Sequence, residues 1–453
     1  MTVSAVMQRL ANYIVRAPKK RLPPAVAEKT KHHILDTIAA MVSGAPLPPG
    51  RKAISYARTR GGTREACVVA TGIITTAENA ALANGMLAHA DETDDSHAPS
   101  LTHPGCGIVP AALAMAEREG ASGEALIRAV ALGYDIGCRL TMSLDAYQFR
   151  EDGHSTHSFG PMFGAAAASA ALARLDARAV RHCLSFTAQQ ASGISCWMRD
   201  EEHIEKAFDF GGMPARNGVA AAAMVAHGFT GVEDALSGER SFFVAYGRKP
   251  EPEKLVAGLG KLYEVMNTNI KRWSVGSPIQ APLDALLLLL EERPFKPEDV
   301  ERISVRVSHQ GANTTNNRAM PDICMQHLCA VMIVDGTVSF KAAHDDKRMR
   351  DGKVLALRKK IDLQGDDTLT NAMPSRQGIV EVVLRDRTEL RKHVAAVRGT
   401  AENPMTRAEV DAKAYDLIAP VFGKKRARRL CDAIWALDEL PSVRRLRPLL
   451  KEA

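Results

Sequence analysis

The stretch AENAALANGMLAHADETDDSHAPSLTHPGCGIVPAALAMAEREG, residues 77–120, carries the reading from which the fold follows. Its two ends are alanine-rich and apolar on nearly every side, a pattern of helices buried inside a large bundle rather than of amphipathic surface helices. Between them lies the densest polar run of the chain, His89-Ala-Asp91-Glu92-Thr-Asp94-Asp95-Ser96-His97, followed by Thr102-His103-Pro104-Gly105. This is a helix–loop–helix junction that gathers carboxylates and imidazoles in one short loop.

Outward from that junction the same texture repeats. GEALIRAVALGYDIGCRL (123–140), PMFGAAAASAALARL (161–175) and ARNGVAAAAMVAHG (215–228) are further small-residue helices, and small side chains let helix axes approach closely. No period-2 run of β-branched residues interrupts residues 1–270. After Lys271 the texture changes. Pro278 opens IQAPLDALLLLLEE, which Pro294 closes, and VERISVRVSH (300–309), QGIVEVVLRD (377–386) and HVAAVRG (393–399) alternate as half-buried strands around a helical DICMQHLCAVMIVDG (322–336). MTRAEVDAKAYDLIAPVFG and KKRARRLCDAIWALDEL then restore helix, parted at Gly423. The expectation is a mainly α protein: an all-helical domain built from both ends of the chain, 1–272 and 400–453, and a smaller α+β domain, 273–399.

Composition narrows the class. At 453 residues, 46% hydrophobic and 25% charged, the chain has the size and balance of a soluble globular protein of two or three domains' worth. Lys+Arg number 59 against 52 Asp+Glu, an excess of +7 that is too mild for a nucleic-acid or membrane-surface protein. That excess lies beyond residue 270: residues 1–270 hold 27 basic and 27 acidic groups, residues 271–453 hold 32 and 25. The basic run Lys424-Lys425-Arg426-Ala-Arg428-Arg429 has no interleaved aromatics, so it reads as a solvated helix face and not as a nucleic-acid site. Eight cysteines without C-x-x-C spacing, no apolar leader and no uninterrupted apolar run near 18 residues point to a reduced, cytoplasmic chain with no membrane span.

Four places offer chemistry. The acidic loop reads as a solvated turn, as a cap for the helix starting near Pro104, or as a set of divalent-metal ligands. Gly153-His154-Ser155-Thr156-His157-Ser-Phe-Gly160 feeds the start of a buried helix, where backbone N–H groups and the helix dipole favour an anion. Lys206 sits among aromatics and glycines in EEHIEKAFDFGGMPARNG, and Lys271-Arg272-Trp273-Ser-Val-Gly276-Ser277-Pro278 marks the change of texture. Either lysine alone reads as a surface charge.

Taken together and in order, HADETDDSH…THPG, GHSTHSFGPMFGAAAASAAL, EKAFDFGGMPARNGVAAAAMVA and KRWSVGSPIQAPLDAL resemble the MmgE/PrpD family over nearly the whole chain. That family includes 2-methylcitrate dehydratase, cis-aconitate decarboxylase and iminodisuccinate epimerase. The resemblance implies a large helical domain, an α+β lid, a homodimer, no cofactor, and a site in the cleft between domains for a small polycarboxylate. Carried onto this sequence, the family's motif acid falls on Glu92 or its neighbour Asp91. Asp94, Asp95, Ser96 and His103 match the rest of that motif, and His154, Lys206 and Lys271 match the family's histidine and two lysines.

The resemblance implies proton transfer at a carbon α to a carboxylate. His103 and His154 would exchange protons, with Glu92 or Asp94 orienting one imidazole. Lys206, Lys271, Ser155 and Thr156 would hold carboxylates, with Asp91, Asp95, Ser96, Arg272 and His327 lining the substrate. Two positions depart from the decarboxylase: Gly276 stands where it has a histidine, and His327 where it has a tyrosine. Both count against cis-aconitate decarboxylation and leave the family's other chemistries open; the resemblance implies dehydration of a 2-methylcitrate-like hydroxy acid, the family's commonest assignment, with epimerisation of a small dicarboxylate as the alternative.

Overall fold

The computed structural model describes residues 3–452 and is mainly helical. It divides into two compact units. The first takes in the chain up to Ala90, Asp94–Thr268 and the chain from Arg407 onward; the second takes in Asp91–Thr93 and Asn269–Thr406. The divisions thus fall at 268/269 and 406/407, against the expected 272/273 and 399/400. The acidic loop contributes three of its residues to the second unit, which no local sequence pattern signals.

The first unit is a helical body. Its central helices, Ala77–Ala88, Pro104–Glu119, Gly123–Ser143, Thr156–Leu172 and Met213–Ala226, are buried along most of their length, as their all-round apolar character requires. Close approach depends on missing side chains: a Cβ on Gly164 would lie 2.5 Å from the Gly133 carbonyl oxygen, so these helices meet backbone to backbone. The amphipathic Ala5–Arg16 helix lays Met7, Leu10 and Ile14 against Phe159 and Phe163. The C-terminal helices Arg407–Phe422 and Lys424–Trp435, parted at Gly423 with φ 79°, belong to the same body. Lys413 anchors the first of them through an ion pair of 2.6 Å to buried Asp36. One two-stranded antiparallel pair, β1 (Ala66–Cys67) with β2 (Ile74–Thr75), interrupts the helical texture that the sequence led us to expect up to residue 270.

The second unit is α+β. Its sheet has the order β4-β3-β5-β6, with β3 (Val300–Val307), β4 (Ile361–Gly365), β5 (Gly378–Leu384) and β6 (Glu389–Val394). Strand β4 runs parallel to β3, and the other neighbours are antiparallel. Val300, Ile303, Val305, Val380 and Val382 face a core shared with Leu283 and Leu286 of the Gln280–Glu292 helix and Met325 and Leu328 of the Met325–Asp335 helix.

Two strand expectations need correction. The last strand is Glu389–Val394 and not 393–399, because a tight turn after β5 starts the return strand at once. Its alternation is charged on one face, so the apolar run HVAAV was the more visible signal. The edge strand β4 was not foreseen; five residues carrying Asp and Gln on the exposed face give little periodicity to read.

Candidate active site

The acidic loop is neither a solvated turn nor exposed. Asp91, Glu92, Asp94 and Asp95 are all buried, Asp94 and Asp95 completely. Burying a carboxylate is costly unless it is paired and hydrogen-bonded, and each has its own arrangement.

Asp95 is structural. It accepts a hydrogen bond from the Tyr134 hydroxyl at 2.6 Å, from His33 Nδ1 at 2.7 Å and from the Gly105 backbone N–H at 2.9 Å. The last satisfies one orphan donor in the first turn of the Pro104–Glu119 helix, so the expected capping role is real but falls to a residue nine positions upstream of that helix. Burial pushes His33 down to about 4, so its ring is neutral and donates from Nδ1. The Asp95 carboxylate is filled by these three donors and is a positioning group, not the substrate ligand that the resemblance implied.

Asp94 holds two histidines at once. Its Oδ2 lies 2.9 Å from His89 Nδ1 and its Oδ1 lies 3.1 Å from His103 Nδ1. Burial alone would raise the Asp94 carboxyl, but the two imidazoles outweigh it and hold the group well below the usual carboxylate range. Asp94 therefore stays ionised and accepts, so Nδ1 of each ring carries a proton and Nε2 is the nitrogen turned away from Asp94. His103, 9% exposed, is positioned by the irregular segment that enters the Pro104–Glu119 helix.

A third histidine completes the cluster. His157 lies 5.2 Å from His103 between ring centroids and stacks on Phe210 at 3.8 Å; Phe210 also stacks on His89 at 4.3 Å. Burial, and then the neighbouring His103, Arg150, His89 and Lys206, push His157 well below the usual imidazole value, so it is neutral. His203, held at φ 62°, adds a fourth ring 5.1 Å from His89. Lys206 sets its ammonium 5.3 Å from the Phe210 ring and 5.6 Å from Trp197, a cation–π seat for a half-buried charge.

Phe210 is carried by a π-helical turn, Phe208–Gly212, a rare element that recurs at functional sites. A Cβ on Gly85 would lie 2.4 Å from the Gly211 carbonyl oxygen, and one on Gly211 would lie 2.1 Å from that of Gly85. The missing side chains bring the π turn directly onto the Ala77–Ala88 helix, at whose end His89 sits.

The His154 motif distributes differently from the expectation. Gly153, at φ 91°, turns the chain so that the His154 ring stacks on Phe149 at 4.5 Å and meets Tyr246 edge-on at 5.7 Å. His157, three residues later and inside the helix, is the ring beside His103. Ser155 donates its hydroxyl to Asp209, and Thr156 donates to the Leu101 carbonyl at 2.6 Å, so both hydroxyls serve the fold. Burial pushes Asp209 up to about 7 against the Ser155 hydrogen bond. Ser96 is half-buried on the same loop.

The second unit has a polar cluster of its own. Lys271, 4% exposed, donates to the Glu92 carbonyl at 2.8 Å and lies 3.6 Å from its carboxylate, so of the two motif acids Glu92 is the one beside the lysine. Asp91 accepts from the backbone and hydroxyl of Thr93 and forms a 2.8 Å ion pair with His344 Nε2. The other His344 nitrogen, Nδ1, lies 2.8 Å from the Phe340 carbonyl, which can only accept. Burial opposes charge on His344, but Asp91 prevails and raises it to about 9, while Asp91 is lowered against its own burial.

Arg272 lies 3.7 Å from Asp284 and over the Trp273 ring. His327 is fully buried and pushed down to about 4 by burial and by Arg358 and Arg348; neither ring nitrogen has a hydrogen-bond partner. At Gly276 an added Cβ would lie 2.3 Å from Ile323 Cδ1, so a larger residue there requires Ile323 to move.

A divalent cation is the other occupant that the residues of the first cluster could hold. Ligand atoms of His89, Asp94 and His103 lie within 4.8 Å of one another, a spacing that a divalent cation can span. Both Nδ1 atoms already bond the Asp94 oxygens, so a cation there would replace two buried hydrogen bonds. The donor set fits a closed carboxylate–bis-imidazole triad better than an open coordination site.

Comparisons with known proteins agree with this organisation. Residues 8–255 match the MmgE/PrpD N-terminal domain and residues 273–439 the MmgE/PrpD C-terminal domain. A cis-aconitate decarboxylase of Aspergillus terreus is 23% identical over 99% of this chain and 96% of its own length. A cis-aconitate decarboxylase-like protein of Aspergillus oryzae is 25% identical over 67% of this chain and 66% of its own. With both domain types matched in order along its length, the chain belongs to the MmgE/PrpD family, and the relatives named here are of the lyase type.

Proposed function

We propose that this protein is a lyase that moves a proton at a carbon α to a carboxylate of a small di- or tricarboxylic acid, and that dehydration of a 2-methylcitrate-like hydroxy acid is its reaction. The observation that carries the reading is Asp94 bonded to both His89 and His103. An α-carbon proton is weakly acidic, so the site needs a neutral base of fixed tautomer and a cation for the charge that develops beside the carboxylate. His103, with Nδ1 tied to Asp94, presents Nε2 as that base. Its conjugate acid is stabilised by the same carboxylate. Lys206 supplies positive charge for a substrate carboxylate, and neutral His157 is the second proton carrier, in the role the resemblance gave to His154. In dehydration, His103 takes the carbon proton and becomes an imidazolium held by Asp94, and that proton passes by way of His157 to the departing hydroxyl, which leaves as water, so both rings end neutral.

Decarboxylation is the second reading, because the relatives above are named for it. Gly276 and His327 weigh against it, since they replace a histidine and a tyrosine of the decarboxylase pattern. Incubation with 2-methylcitrate, citrate and cis-aconitate, followed by NMR and CO2 release, separates the two. The dehydratase reading expects an unsaturated product from the hydroxy acid with no CO2. Itaconate and CO2 from cis-aconitate, with the hydroxy acids untouched, overturns it.

A further inference from the structure

A cleft separate from the histidine cluster opens in the first unit beside the Ala5–Arg16 helix, the turn that follows it and residues 256–263. Its volume is about 830 Å³, within the roughly 300–1,000 Å³ of small-molecule sites. Its floor includes buried Leu132 and Val256, and Tyr13 and Tyr263 stand in its walls. Arg9, Arg16, Lys20, Arg21, Arg128 and Lys261 surround it, and no Asp or Glu lines it.

Two of those cations are compensated: Arg9 pairs with Glu253 and Arg128 with Glu124. Arg16, Lys20, Arg21 and Lys261 have no carboxylate within ion-pair distance among the described residues. Residues 1–270 hold equal numbers of basic and acidic groups, so four uncompensated cations around one cleft are a local concentration and not a reflection of the chain's overall charge. Like charges gathered around an apolar recess repel one another, and an anion relieves that repulsion.

The wall behind the cleft is built and rigid. Tyr13 donates its hydroxyl to Asp135 at 2.8 Å, Asp135 accepts from the Glu264 N–H at 2.7 Å, and Arg139 lies 3.2 Å from Glu264 and donates to the Leu262 carbonyl at 3.0 Å. Asp135 and Glu264 are thus engaged by Tyr13 and Arg139, and Glu253 and Glu124 by Arg9 and Arg128, leaving the remaining cations of the rim positive. Cations at the rim, aromatic walls and an aliphatic floor suit a ligand with a chain of phosphates on a planar apolar body.

We propose that this cleft binds a nucleoside polyphosphate or a nucleotide-based coenzyme, its phosphates on Arg16, Lys20, Arg21 and Lys261 and its base against the tyrosine walls. The test titrates the full chain by calorimetry at low salt with ATP, coenzyme A and inorganic tripolyphosphate, alongside the double variant Lys20→Glu/Arg21→Glu. These are exposed side chains, so the fold should persist, and an unchanged melting temperature checks this. Expected are saturable 1:1 binding of ATP or coenzyme A, at least tenfold tighter than tripolyphosphate, and at least tenfold loss in the variant; the tighter nucleotide identifies the source. Three results overturn the proposal: no saturable binding, equal affinity for tripolyphosphate, or unchanged affinity in the variant. A fourth is a change of oligomeric state in the variant, with nucleotides without effect on either form, which makes the cleft an interface between copies.

Discussion

At the scale of single residues, Asp94 does what neither imidazole does alone: it fixes two tautomers with one carboxylate. Asp94→Asn keeps the size but cannot accept from both rings as an anion, and its amide N–H can turn one imidazole to the wrong tautomer. Turnover should fall by about 10²–10⁴, the range for loss of acid–base catalysis, and a steady-state assay with a melting curve checks that the fold survives. The two histidines of the GHSTH motif separate cleanly. His157→Gln should lower kcat strongly, whereas His154→Phe, which keeps the stack on Phe149, should leave kcat near wild type. An inactive His154→Phe with unchanged melting would return the proton-carrying role to His154.

The loop's chemistry was legible because carboxylates and imidazoles cluster visibly. Which histidine meets His103 was not, because that depends on the left-handed turn at Gly153. His89, His203 and Phe210 were also missed. Ring stacking between residues more than a hundred positions apart leaves no mark on local pattern.

At the scale of elements, two contacts set the outcome. The π turn rests on the Ala77–Ala88 helix through Gly85 and Gly211, so Gly85→Ala should cost about 1–3 kcal/mol by overpacking and also reduce turnover by displacing Phe210. Chemical denaturation and a parallel assay measure the two effects. In the second unit the Asp91–His344 pair gives a pH signature. His344 is raised from 6.5 to about 9 in the folded state, so its stabilisation is full below pH 6.5 and is lost as pH rises through about 9. Asp91 is lowered from 3.8, so its share is present above pH 3.8 and disappears as pH falls further. The melting-temperature difference between wild type and His344→Gln should therefore be largest between about pH 4 and 6.5 and vanish above about 9. Buried helices and the strongly alternating β3 and β5 could be read from sequence. Strands β4 and β6 could not, since each has only one buried face and exposes charge on the other.

At the scale of the whole molecule, the chain's two textures correspond to two units, and family membership covers both. No helix among the described residues is long and apolar enough to cross a membrane. The basic excess beyond residue 270 is shared between the units, since residues 271–406 hold 21 basic and 18 acidic groups and residues 407–453, which belong to the first unit, hold 11 and 7; in the second unit Lys271 pairs with Glu92 and His344 with Asp91. Metal dependence is a property of the intact protein, and the closed triad around Asp94 predicts that activity survives exhaustive chelation with no stoichiometric metal by elemental analysis. Loss of activity restored by one divalent ion would instead make His89, Asp94 and His103 its ligands. The central claim, proton abstraction α to a carboxylate by an Asp94-oriented His103, is tested most directly by following solvent deuterium into a panel of di- and tricarboxylates by NMR, with wild type and His103→Ala side by side. Exchange at one α-carbon that wild type catalyses and His103→Ala slows at least a hundredfold, with the fold retained, is the predicted result; undiminished exchange in His103→Ala, or none with any acid in wild type, contradicts it.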